Sequence, residues 1–369
     1  MRCLRTASLL VPVLALACIG GPEKHTIAEL RDVEPDMTEV RVENGLDQAM
    51  MGYRKFLEEA PESALTPEAM RRLADLKLEK QYGILGGSRV SELPAPETSE
   101  ARSPASAGSP TPSTSDRIAD HSESESEFER RAAGADTIAP TGGATDLELP
   151  GGASASSGPL EAIALYDRIL AAYPDYPHND RVLYQKARAF DELGRNDEAI
   201  EVIDRLIARY PHSTHIDEVQ FRRAEYFFTR RKFLDAEDGY SAVVAMGPKS
   251  QYYELALYKL GWTLYKQELH EEALDQYVAL LDYKVSVGYD FDQTHDEGDE
   301  RRIADTFRVI SLSFSNLGGP EAVQTYFASR GNRGYEDRIY SHLGEFYLEK
   351  LRYNDAAKVY EAFVDLYPL

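Results

Sequence analysis

A small residue followed four places later by a large apolar one recurs at a fixed interval through the middle of this chain. The pairs are Ala162/Tyr166, Ala199/Ile203, Ala236/Tyr240 and Ala273/Tyr277, and the alanines stand 37 residues apart each time. A strict period of this length marks a repeat architecture, in which each unit buries its apolar face against the next. Prolines fall twelve residues after three of these alanines, at Pro174, Pro211 and Pro248. Proline cannot continue a helix, so each one closes the second helix of its unit. Every period therefore reads as a helical hairpin.

The same register extends in both directions. Upstream, Ala49/Tyr53 repeats the anchor and Pro61 the proline offset. Leu46–Glu59 and the segment opened by Thr66-Pro67-Glu68 read as the second helix of one repeat and the first helix of the next. Downstream, the pattern predicts hairpins of Asn179–Leu193 with Asp197–Tyr210, Ile216–Arg230 with Phe233–Met246, and Tyr252–Gln267 with Glu271–Tyr283. Two more follow, Arg301–Asn316 with Pro320–Ser329 and Tyr335–Lys350 with Tyr353–Tyr367. In the joint after Pro211, Ser213 or Thr214 is placed to cap the next helix.

Two irregularities interrupt the period. After Ala49 the next anchor is due near residue 86, yet it comes at Ala162. The surplus is an insertion over residues 86–158, inside a hairpin that pairs Pro67–Gln81 with Leu160–Ala172. It is rich in Ser, Pro, Ala, Gly, Thr and Glu, with Phe128 its one aromatic residue, so it is expected to be disordered. Asp116–Ala133 reads at most as a transient helix outside any core. A shorter surplus, Lys284–Glu300, is an acidic loop with Asp290, Asp292, Asp296, Glu297, Asp299 and Glu300.

With Ala199 as the reference, Leu183, Ala187, Phe190, Gly194, Ile203, Leu206 and Pro211 fall at the signature positions of the tetratricopeptide repeat, which the chain resembles. Ala187 and Ala199 belong where the two helices cross most closely, and Ala224, Gly261 and Gly344 repeat the first of these positions. Tyr240, Tyr277 and Tyr360 are expected to fill the gaps between consecutive hairpins. The resemblance implies an all-α fold, a right-handed superhelical solenoid of helical hairpins interrupted by the long insertion. In that family the first helix of each hairpin lines a concave groove. Carried over by position, the groove presents Arg181, Tyr184 and Arg188, then Phe221, Glu225 and Phe228, then Tyr258, Trp262 and Tyr265. Large aromatic side chains on such a face suit capture of a protein or peptide.

The N-terminus says where such a scaffold would work. Arg2 and Arg5 precede the apolar run Leu9–Ala17, too short to span a bilayer and typical of a signal peptide over residues 1–17. The run ends in Leu14-Ala15-Leu16-Ala17-Cys18, which resembles the lipobox of bacterial lipoproteins. That resemblance implies lipid attachment at Cys18, with residues 18–45 as a tether. Ile19 in place of the inner-membrane retention residue implies the outer membrane. Together the two resemblances point to the tetratricopeptide lipoproteins of the bacterial cell envelope, which include outer-membrane-assembly, Tol–Pal-associated and gliding-motility proteins.

Composition excludes other classes of function. A formal net charge of −22 argues against nucleic-acid partners, which need clustered Lys and Arg. The two cysteines, Cys3 and Cys18, both lie at the extreme N-terminus, and no nucleophile–base pair, phosphate loop or zinc-protease motif occurs. No catalytic, cofactor or metal site is expected. The acidic loop lacks the glycine of a calcium loop, and His212-x-x-His215 has no supporting ligand. The organisation reads as residues 46–85 for the first repeat helices, 159–283 for the central repeats, 284–300 for the acidic loop and 301–369 for the C-terminal repeats. Stopping one residue after Pro368, the chain offers no capping helix, so further repeats or a docking partner are expected there. The expected function is a non-enzymatic envelope scaffold that holds proteins or peptides in its groove; the alternative is an accessory subunit or regulator of an envelope enzyme or motility machine.

Overall fold

The computed structural model describes residues 44–82, 124–134 and 157–367, and all of its regular elements are helical. The expected leader with Cys18, nearly all of the tether and most of the insertion lie outside the described residues. Contacts divide the chain at Gly45/Leu46, and the packing below is that of the Leu46–Leu369 unit. In chain order the helices are α1 (Gly45–Glu59), α2 (Thr66–Tyr82), α3 (Glu125–Gly134), α4 (Ser157–Ala172), α5 (Asn179–Glu192), α6 (Asn196–Arg209) and α7 (Ile216–Thr229). Then come α8 (Phe233–Met246), α9 (Tyr253–Lys266), α10 (His270–Ser286), α11 (Glu297–Leu317), α12 (Pro320–Arg330), α13 (Glu336–Glu349) and α14 (Tyr353–Leu366). They pair as hairpins α2/α4, α5/α6, α7/α8, α9/α10, α11/α12 and α13/α14, stacked in sequence as an all-α solenoid.

The α2/α4 hairpin forms although its two helices are separated by the whole insertion. Lys77 pairs with Glu161 near one end, and Tyr166 Oη donates to Asp75 Oδ1 at 2.7 Å further along. Arg71, almost wholly buried, bonds Asp75 at 2.6 Å and Glu68 at 2.7 Å. Burial works to raise the Glu68 pKa, but hydrogen bonds from Arg71, Tyr176 and Arg72 outweigh it and bring the carboxyl down to about 2. At Asp75 burial wins, and its pKa is raised.

Close packing explains the small residues. A Cβ on Gly261 would lie 2.6 Å from the Tyr277 ring, and one on Gly344 2.6 Å from the ring of Tyr360. In α7/α8 the roles are exchanged, and it is Gly239 that leaves room for Ala224 Cβ. The tyrosines thus reach across their own hairpins. Tyr240 likewise meets Phe221 and Phe228 of its partner helix α7. The cause is local: a small residue on the first helix leaves a hole that the ring of the second helix fills.

Four of the turns inside the hairpins share one conformation. Gly194 has φ of +69°, and Arg231, Glu268 and Leu351 adopt φ of +59°, +63° and +57° in the same role. Glycine enters this left-handed region freely, whereas the other three are strained there. At the joints between hairpins Ser213 does not cap α7. Its hydroxyl donates to Asp180 of α5 at 2.7 Å, and Ser250 donates in the same way to Asp217 of α7 at 2.9 Å. One hydrogen bond of this kind ties each of these two joints back to the first turn of the preceding hairpin.

Candidate functional site

The largest departure from the sequence reading is α3. Residues 125–134 of the expected disordered insertion form a helix, and Phe128 and Ala132 are wholly buried. Its start is locally encoded. Ser124 Oγ and the Ser124 N–H both donate to Glu127 Oε2, at 2.6 and 2.9 Å, and Glu127 N–H donates back to Ser124 Oγ at 3.3 Å. This reciprocal pair satisfies donors that a helix N-terminus leaves open.

Its burial comes from far away in the chain. Phe128 lies against Trp262 of α9, ring centroids 5.8 Å apart, and the Arg308 guanidinium of α11 sits 4.0 Å from the Phe128 centroid on its face. A cation on the ring adds attraction to the area buried. Ala132 and Ala133 let the backbone of α3 approach α9 closely. Tyr258 Oη donates to the Ala132 carbonyl at 3.1 Å, and the wholly buried Lys259 Nζ to that of Ala133 at 2.9 Å. These carbonyls are the orphan acceptors of a helix C-terminus, where a cation is favoured.

Charge is matched along the rest of the helix. Arg131 makes a two-pronged pair with Asp305, at 2.9 and 3.0 Å. Glu129 pairs with Lys266 and accepts from Tyr265 Oη at 3.4 Å, and Glu125 pairs with Lys350 just beyond α13 at 2.8 Å. Burial first, and then the Glu129 charge, raise the Tyr265 pKa, so its hydroxyl stays a donor. One donor is left over: Trp262 Nε1–H is buried with no acceptor.

Of the positions assigned to the groove, Tyr258, Trp262 and Tyr265 lie together beneath α3. The others are elsewhere. Tyr184 stacks on His215 with centroids 4.0 Å apart and donates to Glu218 at 2.8 Å; burial, then Glu218, push its pKa up to about 12. Arg188 is buried with its guanidinium over the Tyr184 ring. Phe221 is core, packed between Tyr240 and Tyr252. Glu225 accepts from Tyr240 Oη and lies 3.5 Å from Lys259 Nζ, while Phe228 is half-buried with that ammonium 5.6 Å from its ring centroid.

Sequence reasoning did not find Phe128, Lys259, Lys266, Asp305, Arg308 or Lys350. The available signal was Ser124-x-x-Glu127, a helix-start pattern directly before the one aromatic residue of the insertion.

Residues 159–220 match the tetratricopeptide repeat family. That match runs from α4 into the first turns of α7, and the later hairpins repeat the same helix-pair arrangement. A comparison with curated proteins finds no match. Among solved structures, a MamA RS-1 ArsTM double mutant is similar at 17% identity and a TM-score of 0.29, over 56% of this chain and 84% of that one. A crystal structure of MamA gives 18% and 0.29 over 57% and 87%, and MamA from residue 41 to its end, from Desulfovibrio magneticus RS-1, gives 17% and 0.28 over 57% and 86%. At these scores the fold rests on the hairpins and the family match.

Proposed function

We propose that this protein is a non-enzymatic, lipid-anchored scaffold of the bacterial cell envelope that holds partner proteins or peptides on the inner face of its repeats. The observation that carries the reading is the seating of α3, a helix outside the repeat pattern, on α9 and α11, with Lys350 just beyond α13 closing one end. A surface that binds one such helix through an aromatic anchor and matched charges is built for protein recognition. The leader ending at Cys18 supports attachment to a membrane through lipid, at the outer membrane by the residue that follows.

Two experiments test it. With Cys18→Ser, the protein should move from the membrane fraction to the soluble fraction; retention in the membrane would sink the anchor. With Lys266→Glu and Lys350→Glu, charges at the edge of the groove are reversed at partly exposed side chains. Proteins co-isolating from envelope membranes with the unaltered chain should be lost, and an identical set would count heavily against binding through this face.

A further inference from the structure

The contacts of α3 specify what the groove recognises. Resting on the scaffold reading above, we infer that the α9/α11/α13 groove is a receptor for one partner helix, and that α3 occupies it as a tethered stand-in. The partner's chemistry follows from the receptor groups. An aromatic anchor enters between the Trp262 ring and the Arg308 guanidinium, 5.8 and 4.0 Å from the respective groups. The next residue is acidic, for Lys266 and Tyr265. The third after the anchor is basic, for Asp305. The fourth and fifth are small, so that the last carbonyls reach Tyr258 Oη and Lys259 Nζ. An acidic residue three places before the anchor meets Lys350. The recognised helix thus reads acidic-x-x-aromatic-acidic-x-basic-small-small, about two and a half turns long.

Three features make this a receptor and not only a brace. The charged groups of the groove are spread over three hairpins, and each has a counterpart on α3 in a single register. Lys259 is wholly buried although its nearest carboxylate, Glu225, stands at 3.5 Å, beyond hydrogen-bond length for a strong pair. Its one close acceptor is the terminal carbonyl of a docked helix, so the ammonium is aimed at whatever helix end lies there. Third, α3 is an imperfect occupant, because it leaves Trp262 Nε1–H without an acceptor. A buried donor left unpaired weakens binding, and a partner that supplies an oxygen there gains what α3 lacks. Tethering compensates α3, since a ligand on the same chain meets its site at an effective concentration on the order of millimolar. A free partner must therefore outbind α3, or arrive at high local concentration.

The test uses the full-length chain and a fluorescent synthetic peptide of its own residues 122–136, blocked at both ends. Phe128→Ala in the chain weakens the tethered helix without touching the groove. The peptide should bind this chain at least about tenfold more tightly than it binds the unaltered chain, whose groove is filled. Adding Asp305→Arg to the Phe128→Ala chain should abolish binding, and a peptide carrying Arg131→Asp should restore it. Equal affinity for the two chains, no binding to the Phe128→Ala chain, or indifference to Asp305→Arg would each overturn the inference. Circular dichroism of the Phe128→Ala chain checks that the repeats remain folded, and a chain with Arg131→Asp alone opens the groove by a second route. Exchange of α3 between two copies, seen as a dimer that Phe128→Ala dissolves, would assign the groove to a second chain and overturn the partner-helix reading. If the peptide fails while envelope proteins still co-isolate with the chain, the scaffold reading stands and the groove assignment falls.

Discussion

At α5 and α7 the side chains of the inner face close on one another, whereas at α9 and α11 they close on a helix from elsewhere in the chain. Arg188, Glu225 and Trp262 stand at one position of three successive repeats, and Tyr184, Phe221 and Tyr258 at another. Across the first two of these repeats Tyr184, His215, Glu218 and Arg222 interlock, with Arg222 bonded to Glu218 at 2.7 Å and to Asp191 at 3.4 Å. The third places an indole at the same site and fills the space with Phe128. Burial alone does not distinguish these cases, since Tyr184 and Tyr258 are both buried. What separates them is the source of the covering group. A network closed among the repeats themselves marks scaffold, and a surface completed by a helix from outside the repeats marks a receptor.

The comparison breaks most visibly at the position shared by Arg188 and Trp262. Trp262→Ala removes a wholly buried ring that contacts Phe128, Tyr258 and Tyr265, and should cost about 3–5 kcal/mol in chemical unfolding. Arg188→Ala loses chiefly its stacking on Tyr184 and should cost about 1 kcal/mol. Equal losses would mean that the two faces are built alike.

Gly261→Ala is next, at about 1–3 kcal/mol, because the new methyl group meets the Tyr277 ring at 2.6 Å. The alanine already present at the corresponding place in α7, Ala224, is accommodated because Gly239 faces it. Gly239→Tyr in that hairpin should be far worse than Gly261→Ala, and thermal unfolding reads both.

Smaller and opposite in sign is Leu351→Gly. Leu351 is 69% exposed and held at φ of +57°, so its side chain contributes little while its backbone is strained. Glycine there should stabilise the chain by up to about 1 kcal/mol, raising its melting temperature. Gly194→Ala should do the reverse in the hairpin that already has the favoured residue.

The smallest expected effect is a pH dependence on both sides of the comparison. His215, stacked on Tyr184, and His342, stacked on Phe307, both have lowered pKa values, chiefly through burial. A histidine that binds its proton more weakly when folded gives its full stability above the ordinary value of 6.5. That contribution is lost as pH falls from there through the lowered folded value. His342→Phe should flatten the melting profile between neutral and mildly acid pH; a profile unchanged by the substitution would remove His342 from the account.

The hairpins were legible because their causes are local and periodic. Ala199 and Ala236, the prolines at 174, 211 and 248, and the small residues at 224 and 261 each answer to a neighbour within the same hairpin or the next. Even the pairing of α2 with α4 was open to arithmetic, since an insertion does not shift the register of what it separates. The place of α3 was not. Phe128 and two alanines are too little apolar surface to hold a helix by themselves, and every group that holds them lies in α9, α11 or the end of α13. Side-chain identity likewise could not say that Arg231, Glu268 and Leu351 adopt a glycine-like turn; that conformation is imposed by the packing of the helices on either side.

Repeat proteins ordinarily assemble by adding each unit to the one before, so that every contact is short-range in sequence. The bond between Glu125 and Lys350 joins residues 225 positions apart, and so breaks that rule. On a chain made at about 5–20 residues per second, the segment that becomes α3 emerges roughly ten to fifty seconds before its seat is complete. A ten-residue helix is marginal alone, so during that interval Phe128 has nowhere of its own to go. Newly made protein therefore passes through a stage in which the tethered ligand is complete while its receptor is still being made.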